Sequence, residues 1–229
     1  MNNKISTIDD LEKLCESQKD DKHSYWSPAK FLSRKPYYSA VFDMLNNFDF
    51  EINKSLEIGA EGFFCIKDCV PMVFTEEKEE IEIFKQQGFI NYDCRTPNWP
   101  IEDKEYDVVI ALEVFEHLRK PQNLYHPALY PKKKFSKLKG WYWQEDPGPW
   151  PTEYFQTTAF KEIMRISKNA ILSFPYMWDE SNGYEPWNPH YKVSRETIKE
   201  WTCNVEPVEI VNPKPLLHQS LRTVYRWEF

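Results

Sequence analysis

The most constraining stretch of the chain is Tyr106-Asp107-Val108-Val109-Ile110-Ala111-Leu112. An apolar run without polar alternation suits a strand buried on both faces, as in a parallel sheet with helices laid over either side. Such a strand needs neighbours, and the flanking sequence supplies them. Ser55 to Gly59, Val70 to Phe74, Phe89 to Asp93 and Asn169 to Phe174 read as further strands, with Pro207 to Val211 and Arg222 to Trp227 as a late pair. Helical stretches come between them: Lys78 to Gln87, stopped by Gly88; Thr158 to Ser167; and Ser194 to Trp201, with Ser194 as cap. Residues 28 to 48 also read as a helix, because Phe31, Tyr38, Val41, Phe42 and Leu45 fall near a 3.6-residue stripe. Pro36 is expected to kink or restart it. A short helix around Leu11 and Leu14 has Asp9 as its candidate cap, with Glu12 three residues on.

This alternation predicts an α/β fold: an open sheet with an antiparallel edge strand and N-terminal helices. The expected division is an N-terminal helical extension at residues 1–50 and a main domain at 51–229. A long insert at 120–158 follows the fourth strand. It is rich in proline, carries Lys132, Lys133, Lys134, Lys137 and Lys139, and contains Trp141-Tyr142-Trp143. Long inserts in compact domains are functional or disordered. Its lysines and aromatics could close on an anionic or planar molecule, or form an ordinary solvated face.

Composition narrows the function classes. A formal charge of -7 argues against a non-specific nucleic-acid binder, which needs a basic footprint. The five cysteines, Cys15, Cys65, Cys69, Cys94 and Cys203, form no Cys-x-x-Cys pair and read as reduced thiols. The polar N-terminus has no apolar signal region, and no apolar run approaches the ~20 residues that span a bilayer. The reading is a soluble cytoplasmic protein with a small-molecule substrate and no membrane partner.

In an open α/β sheet, ligands bind beyond the carboxyl ends of the strands. The residues there are informative. After the first strand comes Glu57-Ile58-Gly59-Ala60-Glu61-Gly62, where glycines let backbone approach a ligand. After the second come Glu76 and Glu77, placed to accept ribose hydroxyls or to sit as solvated carboxylates at a helix start. After the third comes Asp93-Cys94, suited to an adenine edge or to a loop cap. After the fourth comes Glu113-Val114-Phe115-Glu116-His117-Leu118.

Taken in this order, these residues resemble the class I S-adenosylmethionine-dependent methyltransferases. Leu56 to Gly62 is similar to the family's glycine-rich first motif. Tyr106 to Leu118, with Pro100-Ile101-Glu102-Asp103 before it, is similar to its fourth-strand motif and preceding loop. The likeness covers residues 54 to 118 well and 158 to 228 loosely. It implies a Rossmann-like sheet and S-adenosylmethionine as cofactor, held by Glu57, Gly59, Ala60, Gly62, Glu76, Glu77, Asp93, Cys94 and Glu113. Two departures stand out. Ala60 or Glu61 stands where the family's first motif has glycine, so the loop is glycine-poor. Glu57 and Glu76 are only 19 residues apart, which predicts a first crossover shortened to a turn.

Methyl transfer needs an acceptor held in line and, for some acceptors, a base. Glu116, His117 and His190 are the catalytic candidates. On a helix, Glu113, Glu116 and His117 would share one face. Glu-x-x-Glu-His with a later histidine also resembles the metal site of small-RNA 3′-terminal 2′-O-methyltransferases. That likeness implies an alternative divalent-metal site of Glu113, Glu116, His117 and His190. In the metal-free reading Glu113 faces the cofactor, Glu116 caps or pairs, and His117 packs or hydrogen-bonds. Three functions follow: methyl transfer to a small anionic or sugar/nucleotide-type acceptor, metal-assisted RNA or nucleotide 2′-O-methylation, and a catalytically silent methyltransferase-like binding subunit.

Overall fold

In the computed structural model the described residues are 4–20, 26–60, 62–75, 77–118, 134–136, 140–142, 155–175, 193, 195–214 and 222–229. In chain order the helices are α1 (Ile8–Ser17), α2 (Pro28–Asn46), α3 (Lys78–Gln86), α4 (Phe155–Ile166) and α5 (Arg195–Trp201). The strands are β1 (Ser55–Ile58), β2 (Val70–Val73), β3 (Ile90–Asn91), β4 (Tyr106–Leu112), β5 (Lys134–Ser136), β6 (Gly140–Tyr142), β7 (Ser167–Phe174), β8 (Glu209–Val211) and β9 (Thr223–Glu228).

Seven strands form one sheet in the order β3-β2-β1-β4-β7-β9-β8. β4 lies at its centre, paired in parallel with β1 on one side and β7 on the other. It is buried from Tyr106 to Ala111, as its composition demands. The expected antiparallel strand is β9, which runs against β7 and is itself flanked by the short edge strand β8. Within the insert, β5 and β6 make a separate antiparallel pair. The insert ends earlier than expected, because α4 starts at Phe155 rather than Thr158.

Strand alternation sends side chains to two cores. Leu56, Ile58, Val109, Ala111, Ala170, Leu172 and Trp227 face α4 and α5, meeting Phe160, Ile163, Ile198 and Trp201. Val108, Ile110, Ile171 and Val224 face the other way, onto Val41, Met44 and Leu45 of α2 and Leu11 of α1. The N-terminal helices therefore cover this face of β4, β7 and β9.

That covering accounts for the short first crossover. Among the described residues between β1 and β2 there is no helix. The N-terminal segment pairs with this crossover instead. Ile5 bridges Ile66, the Ser6 N–H donates to the Cys65 carbonyl at 2.9 Å, and the Lys67 N–H to the Lys4 carbonyl at 2.8 Å. Phe63 then enters an aromatic cluster with Trp26 and Tyr38, at centroid distances of 5.9 and 5.4 Å.

Two local expectations are corrected. The cap of α1 is Thr7, not Asp9: its hydroxyl accepts from the Asp10 N–H at 3.2 Å, while the Asp10 carboxylate accepts from the Thr7 N–H at 2.9 Å. The reciprocal pair satisfies two end groups at once. α2 continues through Pro36 as one helix, so the chain does not restart there. The carbonyl that proline leaves without a helical donor belongs to Leu32, a residue 46% exposed.

Candidate functional site

The order of strands reverses between β1 and β4, and the loops beyond their carboxyl ends meet there. Gly59 ends β1 with φ +69°, and its N–H donates to the Met72 carbonyl at 3.0 Å. A Cβ on Gly59 would stand 2.8 Å from Val114 Cγ2. The glycine is thus required by its backbone and by a side chain from the β4 turn. Gly62 also has positive φ, +80°, but open space around it. Gly59 and Gly62 are exposed and Ala60 is half-buried.

Glu57 lies beneath this turn rather than in its mouth. The residue is 2% exposed, and its carboxyl group accepts from the Cys65 N–H at 2.8 Å. Burial pushes the Glu57 carboxyl up to about 8, against the hydrogen bonds from Cys65 and Cys69. It ties the crossover down from the α2 side of the sheet.

At the end of β2, Glu77 is exposed and stands at the N-cap position of α3 without a side-chain capping bond. The preceding Thr75 is held by Asn91 of β3, which accepts from the Thr75 N–H at 2.9 Å and donates to the Thr75 carbonyl at 3.1 Å. Glu76 lies outside the described residues. Beyond β3, the Asp93 carboxylate takes a two-pronged bond from Arg95, with Nε at 2.9 Å and Nη2 at 2.7 Å. The Arg95 guanidinium rests over the exposed Phe74 ring, 5.9 Å from its centroid. Burial, with Asp93 adding to it, pushes the Cys94 thiol up to about 12 and keeps it neutral.

The β4 turn differs most from the sequence-based expectation. Phe115–His117 is a 3-10 turn, and Glu113 precedes it with φ +57°. The shared helical face of Glu113, Glu116 and His117 therefore does not form. The Glu113 carboxylate points to two arginines: Arg34 of α2, and Arg222, whose Nε donates at 2.6 Å. Burial pushes this carboxyl up, but Arg222 and then Arg34 outweigh it and hold its pKa down to about 2. The Glu113 N–H donates to Ser173 Oγ at 2.9 Å.

Glu116 is fully buried. The Phe115 carbonyl accepts from Gln156 Nε2 at 3.1 Å, and Gln156 Oε1 is buried with no hydrogen-bond partner among the described residues. The side chain of His117 and all of His190 fall outside the described residues. Among the described residues no three His, Cys, Asp or Glu side chains gather to hold a metal ion, and no helix is long and apolar enough to cross a membrane.

Arg34, Arg222, Ser173 and Gln156 were not singled out from sequence. Arg34 did carry a signal: it falls on the apolar stripe of α2, three residues after Phe31 and four before Tyr38. An arginine on a buried stripe calls for a buried acid.

Neither a protein-family model nor a curated protein matches the sequence. Solved structures do match. The N-methyltransferase NodS from Bradyrhizobium japonicum WM9 aligns at TM-score 0.51 and 13% identity, over 86% of this chain and 96% of that one. NodS in complex with S-adenosyl-L-homocysteine aligns at TM-score 0.51 and 12% identity, over 95% and 97%. The complex of the Haloferax volcanii Trm112 methyltransferase activator with a putative methyltransferase aligns at TM-score 0.50 and 11% identity, over 93% and 96%. The fold is the class I methyltransferase fold. At these identities the likeness concerns the Rossmann-like sheet and its helices, not the reaction.

Proposed function

We propose that the chain is an S-adenosylmethionine-dependent methyltransferase acting on a small acceptor of anionic or sugar/nucleotide type. The observation that carries this reading is the meeting of an open glycine turn, Gly59 to Gly62, with the Val114 turn of β4 at the reversal of strand order. NodS, with the same fold, is solved with S-adenosyl-L-homocysteine. When bound, S-adenosylmethionine supplies an electrophilic methyl group. The protein's part is to hold cofactor and acceptor in line and to accept any proton released.

We assign the backbone of Gly59, Ala60 and Gly62 to the cofactor's amino-acid end. Glu76 and Glu77 take its ribose, and the Asp93-Cys94 loop lies beside its base. Glu57 supports the glycine turn from below. Glu116, His117 and His190 are assigned to the acceptor side, with a histidine as base. The lysines of the 120–158 insert favour an anionic acceptor.

The metal-assisted 2′-O-methylation reading needs Glu113 as a ligand. That carboxylate already accepts from two guanidinium groups, so the residues present do not fit a metal there. The silent-subunit reading has an observation of its own: Asp93 and Glu113, two carboxylates expected at the cofactor's side, are both engaged by arginines. The test is to supply S-adenosylmethionine with a labelled methyl group and a low-molecular-weight metabolite fraction. Label transfer accompanied by S-adenosylhomocysteine formation is expected. Cofactor binding without turnover in any fraction would favour the silent subunit.

A further inference from the structure

We infer that Arg34 is a positioning residue: through Glu113 it sets the course of the β4 turn that carries Glu116 and His117, making α2 an integral part of the site. The inference rests on the reading of that turn as the catalytic rim.

Glu113 joins four parts of the fold. It follows β4; its N–H is held by Ser173 of β7; and its carboxylate is held by Arg222, next to β9, and by Arg34 of α2. The side chains of Arg34, Glu113 and Arg222 are 7%, 15% and 9% exposed. Of these four parts, α2 alone is not a strand of the sheet or a residue flanking one.

The backbone of Glu113 has a left-handed φ of +57°, which an ordinary residue keeps only where its surroundings impose it. This φ determines the direction in which the chain leaves β4, and Glu116 and His117 follow within one turn. Holding the Glu113 side chain therefore holds the direction of the turn.

Arg34 is itself fixed. Its Nη1 donates to Tyr37 Oη at 2.6 Å, and its guanidinium lies over the Trp26 ring, 5.4 Å from the centroid. Tyr37 and Trp26 belong to the core that seats α2 on the sheet. A planar guanidinium donates in fixed directions and so transmits a position, whereas an ammonium supplies charge on a flexible stem.

The test uses the full chain and three variants: Arg34→Met, Arg34→Lys, and Lys168→Met as control. Lys168 pairs with Asp107 at 2.8 Å, at the opposite ends of β4 and β7. Two readouts are taken, amide exchange along the chain and S-adenosylhomocysteine affinity of the folded protein. Arg34→Met should speed exchange in residues 113–118 by about tenfold while leaving 106–111 unchanged. Because Val114 of this turn packs on Gly59 of the cofactor loop, it should also weaken affinity by about tenfold, with Arg34→Lys recovering part of both and Lys168→Met changing neither. Unchanged exchange at 113–118, or an equal rise throughout the sheet, would overturn the inference. If Arg34→Met does not fold, Arg34→Lys and Arg222→Lys make the same comparison. If the unaltered protein binds no S-adenosylhomocysteine, the functional reading falls, and the exchange measurement still decides the positioning role.

Discussion

Val114 packs over Gly59 so closely that a Cβ on the glycine would stand 2.8 Å from Val114 Cγ2. The β1 and β4 turns are thereby fitted to each other. Gly59→Ala should destabilise the protein by about 1–3 kcal/mol, from the strained φ and the overpacking together. Adding Val114→Ala should recover the packing share and leave the backbone share. Denaturant titrations of the single and double variants measure this, and equal losses in both would contradict the contact.

The Glu57 carboxyl has a folded pKa near 8 against a usual value of 4.5, because burial penalises its charged form. A raised pKa means the folded state binds a proton that the unfolded state has released. Stability is therefore full below pH ~4.5 and falls as pH rises through ~8. Glu57→Gln keeps an acceptor for the Cys65 N–H and removes the penalty. It should raise the melting temperature at pH 8–9, with the difference vanishing below pH ~4.5. A variant less stable than the native protein at pH 9 would contradict the buried, protonated assignment.

Glu113 behaves in the opposite sense. Its pKa is held down to about 2, so its contribution is present above the unfolded value of 4.5 and is lost as pH falls towards 2. Glu113→Gln leaves two buried guanidinium groups facing a neutral amide, at a cost of about 3–5 kcal/mol near neutrality. The stability gap between native and variant should narrow between pH ~4.5 and ~2. Urea titrations across that range check it; a constant gap would mean the ion pairs contribute little.

The pairing of Ile5 and Ser6 with the crossover makes the N-terminal segment part of the sheet's covering layer. Deleting residues 1–6 should lower the melting temperature and speed exchange at Phe63 to Lys67 before it affects β7. Native-like exchange at Phe63 to Lys67 would show the crossover holds its own shape.

The sheet was legible because its signals are local. Tyr106–Leu112 announced a central strand, and the Glu57 to Glu76 spacing announced a crossover too short for a helix. Boundaries and caps were less so: the sequence pointed to Asp9 as the cap of α1, and the reciprocal bonds between Thr7 and Asp10 put the cap at Thr7. The site was legible as a set of strand ends but not as chemistry. Asp93 takes its partner two residues away, while Glu113 meets Arg34 and Arg222 from distant parts of the chain. The helical-face argument failed at Glu113 because a single left-handed residue ends the geometry on which it depended.

Under the proposed function, S-adenosylmethionine binds at the turn of Gly59 to Gly62. Calorimetric titration of the full chain with S-adenosylhomocysteine, paired with melting curves, tests it most directly. Saturable binding and a raised melting temperature are expected, with stabilisation of about 2.7 kcal/mol at a hundred times the dissociation constant. No binding heat and no melting shift at millimolar ligand would contradict it.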